Sequence, residues 1–537
     1  MTAARVATHR HGLGWVLTLM VLALTGTACS GTSSTAPPAT GPVVVTDAGP
    51  IRGTAAGGVD GYLGVPYAAP PVDELRWAPP VPPAPWTQER AATSFGSPCP
   101  AGDSYNGPRS EIEDCLFLNV WRPTGVAPGE LRPVFVFIHG GGLLNGSSAQ
   151  FDGTELTRVG GVVTVSLNYR LGQFGFMAHP LLTAAQGESG NYGLLDQQAA
   201  LRWVQRNIAA FGGDPARVTI GGESAGAWSV CTHLVAPGSR SLFAQAVLQS
   251  GSCPSWSQAE AEKNGIGVAA ALNCPTIECL RDASVAELLD APAVGFPAPV
   301  RDTPFLPVDP DEAVRSGQFA RVPVLIGANR DEGRTFAVEY RSYTADQYGA
   351  WARKVFGPHA DAVLARYPWP SPSDEFSAPY QIGAVMTDSG LFGIGGCANR
   401  ALTRSFAQHT ATWAYEFDHR AGPGLAPTPA GYEWGAGHAA ELAYLFPSFD
   451  NETPIAPTFD ADEQRLAEEM KGSWTAFTSS GDPRAAGLPD WPRYEEGGNA
   501  LAWRAGRRSE VITDAQLAAG HQCDFWDSLP RQGWTVP

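Results

Sequence analysis

The stretch Gly222–Gly226 holds the residue types best suited to chemistry. It reads G-E-S-A-G and has the G-x-S-x-G form of a nucleophile elbow, a sharp turn between a strand and a helix that exposes a serine. A β-branched run over 218–220 precedes it, and a helical pattern over 225–235 follows it. An ordinary tight turn is the alternative interpretation of the pentapeptide. The flanking strand and helix favour Ser224 as a nucleophile.

A nucleophilic serine needs a base, an acid that orients the base, and N–H donors for the oxyanion. An apolar run over 134–138 has the pattern of a buried parallel strand, and His139–Gly142, with sequence H-G-G-G, follows it directly. Three successive glycines allow bare backbone to approach a substrate carbonyl. This loop is the predicted source of oxyanion donors, with a flexible surface loop as the alternative.

The candidates for the acid follow another strand. An apolar pattern over 323–328 predicts a buried strand, and it leads into Asp331 and Glu332. Acids beyond the end of a strand are well placed to orient a base. The spacing leaves open which of the two points inward.

The base is one of six histidines that follow Ser224. His438 lies among glycines and alanines in a predicted loop. His419 lies closer to the end of a strand predicted over 412–417. The residues alone leave both histidines as candidates.

Several motifs, in this order, resemble the type-B carboxylesterase family, the group that includes cholinesterases and fungal ester lipases. They are E-D-C-L-F-L-N at 113–119, the block that runs from 168 to 215, and Gly222–Gly226. The resemblance covers roughly residues 43–530. It implies an α/β-hydrolase fold: a large, mixed and mostly parallel sheet flanked by helices, with a helical cap region inserted after Glu332.

The resemblance also implies a role for each site residue. The matching positions are Ser224 as nucleophile, Glu332 rather than Asp331 as acid, His438 rather than His419 as base, and Gly141, Gly142 and Ala225 as oxyanion donors. Glu223 and Ser250 match polar positions beside the triad. The alternative for this last pair is that both are buried, hydrogen-bonded groups with no catalytic effect.

The chain departs from the cholinesterases at the positions that bind the substrate. Counting back from Cys115 places Tyr105 where the choline-stacking tryptophan would be, and the bulky acyl-pocket pair has no clear match in Ala293–Pro297. The predicted activity is therefore hydrolysis of soluble, short- to medium-chain carboxylic esters. The rivals are an interfacial lipase, disfavoured by the short Cys99–Cys115 loop, and a non-catalytic adhesion or scaffold protein, disfavoured by the intact triad.

The N-terminal residues predict export. Residues 1–28 combine a basic start with a short apolar core, which is typical of a signal sequence. The sequence T-G-T-A-C at 25–29 resembles a bacterial lipoprotein cleavage site, so Cys29 is a candidate for lipid attachment. The predicted organisation is a signal sequence 1–28, a flexible tether 29–42, one domain 43–530 and a tail 531–537. The expected location is extracytoplasmic, either secreted or anchored at the cell surface.

Nine cysteines fit an oxidising compartment. The resemblance implies three bridges: Cys99–Cys115, Cys274–Cys279 and Cys397–Cys523. A buried free thiol is the alternative for each of these cysteines, most of all in the short Cys274–Cys279 loop. Cys231 and Cys253 are expected to stay reduced.

The formal net charge of −17 indicates an acidic surface and argues against binding to nucleic acid or anionic lipid. Removal of residues 1–28 makes the charge more negative by two. The sequence has no metal-ligand cluster and no glycine-rich phosphate loop, so no metal or cofactor is predicted. The expected partner is a small ester, and the only membrane link is a lipid at Cys29. The sequence leaves the oligomeric state open.

Overall fold

A mixed sheet of thirteen strands organises the residues that the computed structural model describes, namely 40–127, 129–292, 296–425, 429–450 and 454–530. Two short strands, β10 and β11, pair only with each other. In chain order the strands are β1 (Thr40–Val45), β2 (Pro50–Ala56), β3 (Val59–Pro66), β4 (Arg90–Ala91), β5 (Phe117–Pro123), β6 (Arg132–Ile138), β7 (Val163–Leu167), β8 (Gly213–Glu223), β9 (Gln245–Gln249), β10 (Trp256–Ser257), β11 (Val300–Arg301), β12 (Val324–Asn329), β13 (Thr412–Phe417), β14 (Asn499–Trp503) and β15 (Glu510–Thr513).

The centre of the sheet is parallel and its edges are antiparallel. The spatial order is β1-β2-β3-β5-β7-β6-β8-β9-β12-β13-β14-β15, with β4 beside β2. The strands from β7 to β14 in this order all pair in parallel. Parallel strands are covered on both faces, which explains their nearly continuous apolar runs. The predicted mixed, mostly parallel sheet is confirmed.

Helices cover both faces of the sheet. Their bounds are α1 (Thr154–Gly160), α2 (Gly172–Phe176), α3 (Pro180–Gln186), α4 (Tyr192–Asn207), α5 (Ala225–Val235), α6 (Gln258–Ala271), α7 (Ile277–Asp282), α8 (Val285–Asp290), α9 (Pro310–Arg315), α10 (Arg334–Ala337), α11 (Ala345–Phe356), α12 (Ala360–Arg366), α13 (Ser377–Ser389), α14 (Gly396–Ala407), α15 (Leu442–Leu445), α16 (Ala461–Ser480), α17 (Asp514–Gly520) and α18 (Cys523–Asp527). Within the described ranges, none of these helices is long and apolar enough to cross a membrane.

Strand β6 shows how the two faces are filled. Side chains alternate along a strand, so Val134 and Val136 join the core that contains α4 and α5, while Phe135 and Phe137 join the core that contains α16. A third core, built around Trp351, lies among the helices that follow Glu332. The predicted cap region therefore has its own apolar interior.

Four disulfides lie within the described residues. The predicted pairs Cys99–Cys115, Cys274–Cys279 and Cys397–Cys523 are all bridged. The expectation that Cys231 and Cys253 stay reduced is wrong, because they form the fourth bridge. The physical reason is that β8 and β9 pair in parallel, with Glu223 opposite Gln249. Their carboxyl ends are therefore adjacent, and α5 passes beside the loop that leaves β9, so the two cysteine Cα atoms lie 5.5 Å apart.

The predicted ends of the chain fall largely outside the described residues. The signal sequence 1–28, Cys29 and the tail 531–537 are among them and stay predictions. β1 begins at Thr40, within the predicted tether 29–42.

Candidate active site

Ser224 lies at the turn between β8 and α5. Its φ of 56° and ψ of −123° place it in a region that residues with a side chain rarely adopt, and such strain is typical of a nucleophile elbow. The flanking glycines follow from steric crowding: a Cβ on Gly222 would meet the backbone of Gly226, and a Cβ on Gly226 would meet the carbonyl of Ile138. The turn closes only because both positions lack a side chain.

The loop after β6 passes directly beside Ser224. A Cβ built on Gly140 would lie 3.0 Å from the Cβ of Ser224, so only glycine permits this approach. Gly141 and Gly142 have φ angles of 95° and 66°, which favour glycine as well. The amide N–H groups of Gly141, Gly142 and Ala225 donate to no acceptor among the described residues. They are therefore available to an oxyanion at Ser224.

Asp331 and Glu332 point to opposite sides of one loop. Glu332 is fully buried, and its carboxylate accepts hydrogen bonds from the Asn329 N–H at 2.7 Å and from His438 Nδ1 at 2.6 Å. Asp331 instead accepts two N–H groups of Arg420, at 2.7 and 2.8 Å. Of the two acids, Glu332 contacts the candidate base.

The two candidate histidines lie in different surroundings. His438 lies in the loop between β13 and α15, where its backbone N–H also donates to the backbone carbonyl of Glu332. His419 forms a buried pair with Glu463 on α16, at 3.0 Å. The structure therefore brings together Glu332 and His438, and it holds His419 elsewhere.

The second nitrogen of His438 faces Glu223, the residue before the nucleophile. His438 Nε2 lies 3.2 Å from Glu223 Oε1. No hydrogen bond joins this ring to Ser224 Oγ within the described part of the chain. Catalytic hydrogen bonds are often long in a site without substrate. Glu223 is thus a charged neighbour of the His438 nitrogen that Glu332 leaves free.

Buried carboxylates control the charge of the site. Burial disfavours the imidazolium form of His438, but Glu223 and Glu332 outweigh that effect and raise its pKa to about 9. Burial raises the pKa of Glu223 to about 8, with His438 opposing the rise. The two values are coupled, because a neutral Glu223 removes one of the charges that hold the proton on His438.

Sequence reasoning missed a third acid, Glu441, three residues after His438. Glu441 is fully buried and accepts hydrogen bonds from Asn329 Nδ2 at 2.6 Å and Gln249 Nε2 at 3.1 Å. Burial, helped by the charge of Glu332, raises its pKa. Asn329 also donates to the Gly437 carbonyl, so this network fixes the loop that carries the base. The signal available in the sequence was an acidic residue only three positions after His438.

The remaining predicted positions have mixed outcomes. Ser250 follows β9, is fully buried with a φ of 51°, and has no partner for its hydroxyl among the described residues. Tyr105 is 61% exposed. Residues 293–295, part of the predicted acyl pocket, lie outside the described residues.

Three phenylalanines form one wall beside the base. The ring of Phe336 lies 5.0 Å from the ring of His438, Phe392 lies 5.6 Å from Phe336, and Phe296 lies 6.1 Å from Phe392. Phe296 also lies near Gly142, because a Cβ there would be 3.4 Å from its ring. The wall runs from the base to the oxyanion loop and carries no charge.

The described residues contain no group of three or more histidines, cysteines or acids that could hold a metal ion. They do combine a strained serine, a histidine bonded to a buried glutamate, and three unpaired N–H groups. That arrangement suits acyl transfer through a serine.

Comparisons with known proteins agree with this geometry. The model of the carboxylesterase family matches residues 40–526. The chain is 36% identical to the fumonisin B1 esterase of Sphingopyxis macrogoltabida over 88% of this chain and 87% of that one. It is 34% identical to the para-nitrobenzyl esterase of Bacillus subtilis (strain 168), over 84% and 93% of the two chains. A solved thermophilic PNB esterase superimposes with a TM-score of 0.75 at 30% identity, over 89% of this chain and 99% of that one. The chain belongs to the carboxylesterase family and is a carboxylic-ester hydrolase.

Proposed function

We propose that the enzyme cleaves esters through a triad of Ser224, His438 and Glu332 and an acyl-enzyme intermediate. The observation that carries the proposal is the 2.6 Å hydrogen bond between His438 Nδ1 and buried Glu332. That bond fixes the imidazole tautomer, so Nε2 is the nitrogen that accepts a proton. The strained turn at Ser224, directly after Glu223 whose carboxylate lies 3.2 Å from that nitrogen, supports this serine as the nucleophile.

The reaction has two steps. His438 removes the proton of Ser224 as its oxygen attacks the ester carbonyl, and the N–H groups of Gly141, Gly142 and Ala225 stabilise the oxyanion. The imidazolium then protonates the leaving alcohol. Water repeats the sequence on the acyl-enzyme and releases the acid. Glu332 holds the ring through Nδ1 and stabilises the imidazolium.

We propose dissolved esters with apolar groups of short to medium length as the substrates. The uncharged wall of Phe296, Phe336 and Phe392 supports this class, because it offers apolar contact and no charge for an ionic group. The names of the relatives, a fumonisin B1 esterase and a para-nitrobenzyl esterase, refer to very different substrates. These names support ester cleavage as the reaction, and they indicate no single alcohol or acid as part of the substrate.

The nucleophile is tested by Ser224→Ala. The loss of a triad serine lowers kcat by roughly 10⁶ in a well-studied serine hydrolase, and we expect a loss of that order here. Ser229→Ala, which removes a buried hydroxyl on the same helix, is the matched control and should keep most activity. An active-site phosphonate should label the peptide that contains Ser224 once per chain. A Ser224→Ala variant that kept a tenth of the turnover would overturn the assignment.

The substrate class is tested with matched acetyl, butyryl and octanoyl esters, each with a neutral and a choline alcohol. We expect kcat/KM to fall once the acyl chain exceeds the apolar surface that it can contact, with little preference for choline. A large preference for the choline alcohol would contradict the proposal that the substrate contacts an uncharged wall. A rate that rises only above the solubility limit would favour the interfacial lipase.

We further propose that the enzyme works outside the cytoplasm, as a secreted or lipid-anchored protein. The four disulfides of the described residues support this location, since disulfides persist in oxidising compartments. Mass spectrometry of the N-terminal peptide from the native source tests it. A diacylglyceryl group on Cys29 is the expected result, and an uncleaved N-terminus would contradict the proposal.

A further inference from the structure

A cavity lies behind the loop that carries Glu332. Its volume is about 350 Å³, and its lining includes neither Ser224, Glu332 nor His438. It lies between the 330–334 loop and the helical region from α12 to α13. The cavity is therefore separate from the candidate catalytic site, although Asp331 belongs to its wall.

The lining of this cavity is rich in arginine. Arg330, Arg334, Arg366 and Arg420 contribute to it, and only two carboxylates, Asp331 and Asp388, accompany them. The whole chain is acidic, with a net charge of −17. The lining of the cavity has more guanidinium groups than carboxylates, although the chain as a whole is acidic. The cavity would therefore attract an anion.

Both carboxylates of the lining already have partners. Asp331 accepts two hydrogen bonds from Arg420. Asp388 accepts one from the Tyr367 hydroxyl at 2.7 Å and lies 2.7 Å from His521 Nδ1. Asp331 also lies 3.6 Å from Arg334 Nε, and Arg330 lies 3.6 Å from Glu416, which is outside the lining. Arg366 has no carboxylate partner among the described residues, so its donors remain available.

Several guanidinium N–H groups remain for a ligand. Arg366 is exposed and forms no ion pair among the described residues, and its guanidinium lies 6.0 Å from the centre of the Phe525 ring. Arg420 uses Nε and Nη2 for Asp331, which leaves Nη1. Arg334 lies over the ring of Tyr380 at 4.9 Å and donates through Nη1 to the Glu433 carbonyl.

We propose that this cavity binds a small polycarboxylate. Planar guanidinium groups match carboxylates in a two-bond geometry, and several of them around one cavity select a ligand with more than one negative group. The volume falls near the lower end of the roughly 300–1,000 Å³ typical of small-molecule sites. The ligand would occupy a site that the esterase reaction does not use, so the inference extends beyond the proposed function.

Isothermal titration calorimetry of the folded enzyme with citrate tests the proposal at low ionic strength. We expect one citrate per chain, with a Kd of about 1 mM or lower, and weaker binding as sodium chloride is added. Acetate, which carries a single charge, should give no measurable heat. The experiment does not depend on catalysis, so its outcome is distinct from that of the Ser224→Ala test.

Two variants locate the site. Arg366→Gln breaks no ion pair of the described residues and should weaken citrate binding about tenfold or more, because a hydrogen bond between charged groups is lost. Arg420→Gln should weaken it as well. Arg465→Gln, at a partly exposed arginine on α16 that pairs with Asp462, is the matched control and should bind like the wild type. Thermal unfolding checks that every variant is folded.

Three results would overturn the proposal. The first is the absence of citrate binding up to several tens of millimolar. The second is wild-type affinity in both folded cavity variants. The third is phosphate binding as tight as citrate binding, which would indicate a site for a single oxyanion rather than a polycarboxylate.

Discussion

The contact between Glu223 and His438 predicts that Glu223→Gln shifts the pH dependence of catalysis. The general base must be neutral to accept the proton of Ser224, so the acid limb of kcat/KM reports the pKa of His438. The Glu223 carboxylate raises that pKa. Its removal should lower the pKa and move the acid limb to lower pH.

The magnitude follows from the distance. For unit charges 3.2 Å apart, an effective dielectric constant of about 20 gives an attraction of about 5 kcal/mol, equivalent to a pKa change of nearly 4. This figure is an upper bound, because removing the two charges from water opposes their attraction. We expect the apparent pKa to fall by about 1 to 3.

The assay is kcat/KM for a neutral, dissolved ester from about pH 5 to about pH 10. The wild-type acid limb should have its midpoint in the alkaline range, and the Glu223→Gln midpoint should lie at least about one pH unit lower. Glu463→Gln, which makes the same change beside His419, should leave the midpoint unchanged. An unchanged or higher midpoint in Glu223→Gln would refute the reasoning.

Three further predictions concern the acid, the disulfides and stability. Glu332→Gln should lower kcat by roughly 10⁴, as loss of the orienting carboxylate does in a serine protease, whereas Asp331→Asn should have a far smaller effect; steady-state kinetics showing the reverse order would contradict the assignment. Thiol titration of the denatured, unreduced protein without its first 29 residues should find no free thiol. Removal of the bond between Cys231 and Cys253 should lower the free energy of unfolding by about 3 kcal/mol for a 22-residue separation, measured in urea, and two titrated thiols would contradict this bridge. Burial lowers the pKa of His521, but its hydrogen bonds to two carboxylates raise it from 6.5 to about 9. The protonated ring therefore contributes about 3 kcal/mol to the free energy of unfolding below pH 6.5, and this contribution is lost as the pH rises through 9. Urea unfolding of His521→Gln should show a smaller loss of stability at alkaline pH than the wild type, and an equal loss would refute the assignment.

Short sequence motifs were sufficient to predict the nucleophile turn and the glycine loop, whereas the family resemblance was needed for the mixed sheet. The elbow around Ser224 and the glycines after β6 are local patterns whose steric reasons lie within a few residues. The acid and base required the family resemblance, because Asp331 and Glu332 have the same neighbours and only the fold determines which one points inward.

Long-range contacts that the family resemblance did not supply were beyond sequence reasoning. The bond between Cys231 and Cys253 depends on the parallel pairing of β8 with β9, which brings the ends of two separate strands together. Glu441 is held by hydrogen bonds from Asn329 and Gln249, which belong to two different strands. The arginine cavity draws on residues from 330 to 522, and no local pattern marks it.

The bond between Cys397 and Cys523 has a consequence for damage to the chain. These cysteines are 126 residues apart, and His438 lies between them, while Ser224 and Glu332 lie outside. The exposed segment 484–487 falls within the same covalent ring. A protease that cuts there opens the ring without releasing a fragment, so the nicked protein still migrates as one species on a non-reducing gel. Reduction separates its two pieces, and the nucleophile, acid and base all remain on the larger one.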